Sequence, residues 1–154
     1  MDYRHGAHTV FMVHLHLVWV TKYRKPVLTG EVGLRVRELI RQICREQEVE
    51  ILKGHVARDH VHLFVSSPPQ VTTSRLVQRL KGKTSHHLLA EFAHLRRAFW
   101  GRHLWARGYF CCSSGNVTDE VIKAYIESQT HDEDVDFRVE GEAAQEGGPP
   151  KPSA

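Results

Sequence analysis

The length and composition of the chain limit what class of protein it can be. It has 154 residues, of which 41% are hydrophobic and 25% are charged. A domain of this size buries roughly 70% of the surface that its unfolded chain exposes, so one domain with a substantial core is expected. No apolar run approaches the ~20 residues that cross a bilayer, and the N-terminus, with Asp2, His5 and His8, lacks the apolar region of a signal peptide. We therefore expect a cytoplasmic protein without a membrane partner.

The cysteines exclude two common types of site. Cys44, Cys111 and Cys112 make an odd number, and no CxxC pair is present. Neither a disulfide framework nor a thiolate zinc site is indicated. Reduced, buried cysteines are expected.

Charge is distributed unevenly along the chain. Residues 1–130 contain 19 Lys and Arg against 11 Asp and Glu, a net charge of +8, whereas residues 131–154 contain 7 acids and 2 bases and end in "GEAAQEGGPPKPSA". This pattern predicts one domain over 1–130 and an acidic, Pro- and Gly-containing, disordered tail over 131–154. Residues 72–109 contain 8 basic residues and a single acid, Glu91. Such a run favours a phosphate-rich partner over an ordinary solvated basic face.

The first half of the chain has a clear hydrophobic pattern. "HTVFMVHLHLVWVTKY" alternates apolar and polar residues and predicts a strand. "GEVGLRVRELIRQICREQ" has apolar residues at helical spacing and predicts a helix. "VEILKGHVARDHVHLFVSSPPQ" predicts two strands joined by a turn near Ala57 to Asp59.

The second half completes an α+β fold. "TTSRLVQRLKGKTSHHLLAEF" predicts a second helix, with Gly82 as the point where it could break, and "GYFCCSS" predicts a short strand. "TDEVIKAYIESQ" predicts a last helix, since Thr118 can cap it and Asp119 and Glu120 favour its first turn. The order strand, helix, strand, strand, helix, strand predicts a ferredoxin-like (RRM-like) antiparallel sheet with helices on one face, plus a C-terminal helix.

Two histidines in "RDHVHLFVSS" are candidate functional residues. Side chains alternate along a strand, so His60, His62 and Phe64 share one sheet face. Two adjacent imidazoles could bind a metal, line a polar site or simply be exposed. On the last helix Tyr125 and Gln129 are one turn apart, and a helix lying across the open sheet face would bring a phenol and a carboxamide to the imidazoles.

Two other histidines precede this segment in the chain. His14 and His16 alternate with apolar residues of the first predicted strand. They are more simply interpreted as polar residues on a partly covered sheet face than as metal ligands.

Residues from about His8 to Gln129 resemble the single-tyrosine HUH transposases of IS200-like insertion sequences. The resemblance lies in five segments in the order of that family: "HLVWVTKYRKPVL", "DHVHLFVSSPP", "LKGKTSHHLL", "WARGYF" and "GNVTDEVIKAYIESQ". It implies a homodimer that cleaves and rejoins single-stranded DNA at the hairpin-bearing ends of a mobile element. It also implies that the tyrosine helix of one subunit can complete the site of its partner.

The resemblance also implies a role for each site residue. His60, His62 and Gln129 would bind a divalent cation, Mg²⁺ or Mn²⁺, and Tyr125 would be the nucleophile that forms a 5′-phosphotyrosine. The ester preserves the energy of the cleaved bond, so no nucleotide cofactor is needed, and no nucleotide-binding loop is present in the sequence. A tyrosine has a pKa near 10, and the sequence indicates no clear base for its proton.

Basic residues are candidates for binding the DNA backbone, because phosphate contacts supply much of the affinity for nucleic acid. The first group lies on and after the second predicted helix, and the second group follows the first strand. These DNA-binding candidates are Arg75, Arg79, Lys81 and Lys83, and then Lys22, Arg24 and Lys25.

Three alternatives follow from the same residues. "RGYFCCS" begins like the aromatic strand motif of a non-catalytic RRM-like nucleic-acid-binding module, but Phe110 and Cys111 depart from it. A domesticated relative that processes repeated genomic hairpins would use the same catalytic residues, and the DNA flanking the gene would distinguish it. A metal-dependent oxidoreductase lacks a third His or a carboxylate at convincing spacing.

Overall fold

The computed structural model describes residues 12–100, 102–113 and 137–139, with the short segments 5–6 and 9–10. The helices are α1 (Gly30–Glu46), α2 (Thr73–Glu91) and α3 (Ala93–Ala98). The strands are β1 (His5–Gly6), β2 (Thr9–Val10), β3 (Val13–Val20), β4 (Glu50–Val56), β5 (His60–Ser67), β6 (Phe110–Ser113) and β7 (Phe137–Val139). None of the helices in these ranges has the length and apolar character needed to cross a membrane.

One sheet organises the domain. Its strand order is β6-β3-β5-β4-β7, and the first four strands are antiparallel neighbours. Together with α1 and α2 these four strands form the ferredoxin-like α+β arrangement, which confirms the predicted fold class. The predicted first strand is interrupted, because β1 and β2 pair with each other in a separate two-stranded sheet.

The two faces of the sheet differ in composition. Leu17, Trp19 and Leu63 are fully buried in the hydrophobic core with the apolar side chains of α1 and α2. Since side chains alternate along a strand, the other face presents His60 and His62. The strand pattern predicted this division of β5 correctly.

The helices follow their apolar spacing. In α1 the buried side chains recur every three or four residues and form part of the core; they are Val32, Val36, Leu39, Ile40, Ile43 and Cys44. The helix α2 begins after Thr72, whose hydroxyl accepts a hydrogen bond from the Arg75 amide. It continues through Gly82 without a break, so this glycine does not interrupt it. The short helix α3 lies between the predicted second helix and the predicted short strand, where the sequence pattern indicated no element.

The three cysteines are free, in agreement with the expected reduced state. Cys44 and Cys112 are buried, whereas Cys111 is half-buried. Burial raises the pKa of the Cys44 thiol to about 12, so this thiol stays protonated at neutral pH.

Strand β7 lies within the segment for which the sequence predicts disorder. Its three residues pair in parallel with Gly54, His55 and Val56 of β4, and the side chains of Phe137 and Val139 are buried. Two glycines make room for them. A Cβ at Gly54 would lie 2.4 Å from the Phe137 ring, and one at Gly33 would lie 2.3 Å from a Val139 methyl group. The rest of the predicted tail and the predicted helix around Tyr125 and Gln129 fall outside the described residues.

We predict that Gly54→Ala lowers the free energy of unfolding by about 1–3 kcal/mol, because the new methyl group displaces the buried Phe137 ring. Gly82→Ala is the control, since nothing lies within 4 Å of a Cβ at that helical position. It should raise the free energy of unfolding by about 0.5–1 kcal/mol. Urea unfolding of the two variants measures both effects, and equal midpoints would contradict the packing of β7 on β4.

Candidate active site on the histidine face of the sheet

The two candidate metal-binding histidines lie in the middle of the sheet. His60 opens β5 opposite Val20 of β3, and His62 lies between Val18 of β3 and His55 of β4. His60 is 0% exposed and His62 is 9% exposed. The structure therefore brings the two imidazoles together on one buried face, as their spacing predicted.

A carboxylate orients the His60 ring. The Nδ1 atom of His60 lies 2.9 Å from Oδ1 of Asp59, while its Nε2 atom is buried and has no hydrogen-bond partner among the described residues. A carboxylate accepts hydrogen bonds, so Nδ1 is the protonated nitrogen and the Nε2 lone pair is available. Metal-binding histidines have this same arrangement, in which an acceptor holds the other ring nitrogen.

Asp59 is itself held in place. Its Oδ2 atom accepts hydrogen bonds from Arg24, at 3.0 Å from Nε and 2.9 Å from Nη2, and its carbonyl oxygen accepts one from the Thr21 amide at 2.9 Å. Burial opposes ionisation of this carboxyl, but the hydrogen bonds from His60 and Arg24 outweigh it and lower the Asp59 pKa. The ion pair thus keeps Asp59 charged beside the histidine.

His62 contacts a further histidine of the same face. Its Nε2 atom lies 3.3 Å from Nδ1 of His16, and the two rings are stacked with centroids 5.5 Å apart. His16 also stacks on Phe64, at 4.2 Å between centroids. His16 is a polar residue on this face, as predicted, but it also supports the ring of His62.

Both candidate ligands are neutral at physiological pH. Burial lowers the pKa of His60 in spite of the opposing effect of Asp59. Burial, followed by the charges of His16, His55, His60 and Lys53, lowers the pKa of His62 to about 3. Neutral imidazole is the form that binds a metal ion.

Of the three predicted metal ligands, the structure describes His60 and His62. Within the described ranges no group of three or more His, Cys, Asp or Glu residues is placed to hold a metal ion. Two imidazoles of the predicted set are in place, and the unpartnered, buried Nε2 of His60 fits a cation. Gln129 and Tyr125, the other two residues of the predicted site, lie outside the described residues.

The predicted DNA-binding residues differ in their surroundings. Arg75, Arg79 and Lys83 are exposed on α2. Three others bind the protein itself. The Lys81 ammonium donates to the carbonyl oxygens of Ala106 and Gly108, at 2.7 and 3.0 Å, the Lys25 ammonium donates to that of Ala98, at 2.7 Å, and Arg24 pairs with Asp59. Lys22 lines a groove.

This groove lies between α2 and residues 102–107 and has a volume of about 1030 Å³. No Asp or Glu is among its described lining residues, whereas seven of them are basic or histidine. They are Lys22, Lys81, His86, Arg96, Arg102, His103 and Arg107. We name it the basic groove. Sequence reasoning did not select Arg96, Arg102 or Arg107 as binding residues, although the one-sided charge of residues 72–109 included them.

We predict that His62 makes the apoprotein less stable in acid. Between pH 6.5 and about 3 the unfolded chain protonates His62 while the folded chain does not, so stability falls as pH falls, by at most about 1.4 kcal/mol per pH unit. His62→Gln has no group that titrates in this range, so its free energy of unfolding should fall less steeply below pH 6.5 than that of wild-type protein. At pH 8 the two proteins should show the same slope of unfolding free energy against pH. Urea unfolding of both proteins at a series of pH values, in the presence of a chelator, measures these slopes. Identical slopes in acid would show that His62 is not buried in the neutral form.

The chain is similar to known transposases. A family model of IS200-like transposases matches residues 9–129. The ISDra2 transposase TnpA of Deinococcus radiodurans is 33% identical over 134 residues, which cover 87% of this chain and 95% of that protein. The transposase for insertion sequence element IS200 of Salmonella typhimurium is 32% identical and is covered over 86% of both chains.

Solved structures agree with this relationship. The crystal structure of a candidate transposase from Deinococcus radiodurans superposes with a TM-score of 0.70 at 31% identity, over 84% of this chain and 99% of that one. A REP-associated tyrosine transposase bound to a REP hairpin has the same fold, with a TM-score of 0.54 at 14% identity, over 82% of this chain and 68% of that one. The sequence match over most of the chain and the shared fold lead to one conclusion: this chain belongs to the family of IS200-like transposases.

Proposed function

We propose that the protein cleaves and rejoins single-stranded DNA at the hairpin-bearing ends of an insertion sequence through a 5′-phosphotyrosine. The observation that carries the proposal is the pair His60 and His62 on one buried face, with Asp59 orienting His60 and leaving its Nε2 atom unpartnered. Membership of a transposase family supports a DNA-processing enzyme over a non-catalytic RRM-like module.

A divalent cation fits the residues of this site. His60, His62 and Gln129 would hold Mg²⁺ or Mn²⁺ with two imidazole nitrogens and one amide oxygen, a mixed set that suits Mn²⁺ and, with water and phosphate oxygens, Mg²⁺. When bound, such a cation supplies polarisation of a phosphate oxygen and compensation of its charge. Asp59 fixes the orientation of the His60 ring before any cation binds.

Tyr125 is the proposed nucleophile. Its phenol oxygen forms a bond to phosphorus, and the bond between phosphorus and the 3′ oxygen breaks. The phenol loses its proton, and the departing 3′ oxygen takes one up as a free hydroxyl. In the reverse sense, the 3′ hydroxyl of another strand attacks the phosphotyrosine and releases Tyr125, so that strands are rejoined without ATP.

The basic groove is the proposed binding surface for the DNA backbone. Its lining combines Lys22 and Lys81 with three arginines, and no described carboxylate competes with phosphate there. The exposed Arg75, Arg79 and Lys83 lie on α2, the helix that borders the groove. The structural relative of 14% identity is bound to a REP hairpin, which is the kind of substrate that we propose for this chain.

We predict that Tyr125→Phe abolishes covalent capture of DNA and leaves DNA affinity within about twofold, because only one hydroxyl group is lost. A denaturing gel with labelled single-stranded hairpin DNA measures the adduct. His60→Ala is the matched variant: it retains the tyrosine but should lose metal-dependent cleavage. An adduct with the Tyr125→Phe chain, or full cleavage by His60→Ala in a chelator, would contradict the proposal.

We further propose a homodimer in which each site combines residues of two chains. We predict that a mixture of Tyr125→Phe chains with His60→Ala/His62→Ala chains regains cleavage after subunit exchange. In a shared arrangement, one site of each mixed dimer takes its tyrosine from the second chain and its histidines from the first, so it carries neither lesion. If every site were built within one chain, the mixture would stay inactive, and an inactive mixture with proven exchange would contradict sharing in the cleavage step.

A further inference from the structure

Among the described residues, two large aromatic side chains near the candidate site are strongly exposed to solvent. The exposed fraction is 63% for Tyr23 and 72% for Trp100, whereas Trp19 and Trp105 are 1% and 6% exposed. Aromatic rings gain much of their stabilising energy from burial, and Trp and Tyr left in solvent are typical of binding surfaces. Packing in the hydrophobic core therefore does not explain why these two positions carry aromatic residues.

Both exposed rings are carried by an uncommon backbone conformation. Tyr23 has φ of 61° and Trp100 has φ of 53°, in the left-handed region that aromatic residues rarely adopt. Surrounding hydrogen bonds maintain this conformation: the Lys22 amide donates to the Leu104 carbonyl at 2.8 Å, and the Arg102 amide donates to the Phe99 carbonyl at 3.1 Å. The surrounding structure thus holds both rings outward.

One lysine connects the two rings. The Lys25 ammonium lies 5.9 Å from the centroid of Tyr23, 5.6 Å from that of Trp100 and 5.3 Å from that of the buried Phe99. Its hydrogen bond to the Ala98 carbonyl fixes it there. We name Tyr23, Lys25 and Trp100 the aromatic platform. It combines two solvent-exposed aromatic rings with a fixed positive charge that lies over them, a combination found in base-stacking surfaces of single-strand binders.

The aromatic platform adjoins both parts of the proposed active centre. Arg24, between Tyr23 and Lys25 in the chain, pairs with Asp59, which in turn contacts His60. Lys22 lies 5.4 Å from the Tyr23 ring and also lines the basic groove. The platform is thus connected to His60 through Arg24 and Asp59, and to the basic groove through Lys22.

We propose that the aromatic platform binds an unpaired base of single-stranded DNA by stacking on Tyr23 and Trp100. Lys22 and Lys25 compensate the adjoining phosphate charge. An unpaired base fits better than an apolar protein segment, because the rings are isolated in a basic surface that continues into the basic groove. The inference rests on the proposed function and adds where the substrate strand is held next to the metal-binding histidines.

The test compares binding of two labelled single strands that carry the same number of phosphates. One is an oligonucleotide of thymidines, and the other is an oligonucleotide of the same length whose sugars carry no bases. Wild-type protein should bind the base-containing strand roughly tenfold more tightly, since stacking on aromatic residues is lost with the bases. The double variant Tyr23→Ala/Trp100→Ala should lose this preference while retaining its affinity for the abasic strand.

Two single variants serve as matched controls. Trp100→Phe keeps an aromatic ring and should keep the preference for bases, whereas Tyr109→Ala removes a further exposed aromatic ring, which lies outside the platform, and should change nothing. Fluorescence gives a second readout, because Trp100 is the one strongly exposed tryptophan of the three. The base-containing strand should quench wild-type emission, and the abasic strand should not.

The proposal is overturned if the double variant retains the preference for bases, or if wild-type protein shows none. It is also overturned if the variants change the mass of the protein in sedimentation, because the rings would then lie between copies of this chain. Failure of the proposed function has a different signature. In that case no covalent adduct forms with wild-type protein, even though stacking still depends on Tyr23 and Trp100.

Discussion

The hydrogen bond between Asp59 and His60 is the contact on which the candidate site depends. Asp59 ends the turn after β4, and His60 begins β5; the Asp59 carboxylate holds Nδ1 of His60, and Nε2 has no partner among the described residues. The ion pair with Arg24 satisfies the charge of this half-buried carboxylate. Because Thr21 also binds the Asp59 carbonyl, the end of β3 and the start of β5 are held in one fixed geometry.

Burial determines the chemistry of the histidine face. Desolvation disfavours the imidazolium form, so His60 and His62 remain neutral where an isolated histidine is partly protonated. A cation approaching neutral imidazoles displaces no proton at neutral pH, and its affinity is then less sensitive to small changes of pH. His16, which stacks on both His62 and Phe64, covers part of the His62 ring.

Sequence patterns predicted what depends on local periodicity and missed what depends on distant partners. The alternation of β5 predicted the shared face of His60 and His62, and helical spacing predicted α1. The role of Asp59 was missed because Asp59 lies in a turn, where neither the periodicity of a strand nor that of a helix applies. The pairing of Arg24 with Asp59 was missed because 35 positions separate them. Strand β7 was missed because the acidic composition around Phe137 outweighed two apolar residues, whose burial depends on the space left by Gly33 and Gly54.

Some basic residues of this domain bind the protein itself and others are exposed, and a count of charges does not distinguish the two. Lys81 and Arg96 donate to backbone carbonyls of residues that line the basic groove, and so they build its walls, whereas Lys25 donates to the Ala98 carbonyl beside the aromatic platform. They retain a positive charge in fixed positions while doing so. A lysine that is already ordered loses little side-chain entropy when a phosphate approaches, whereas the free Arg75 and Arg79 must be ordered on binding. Fixed charges should therefore contribute more affinity per residue than the exposed arginines of α2.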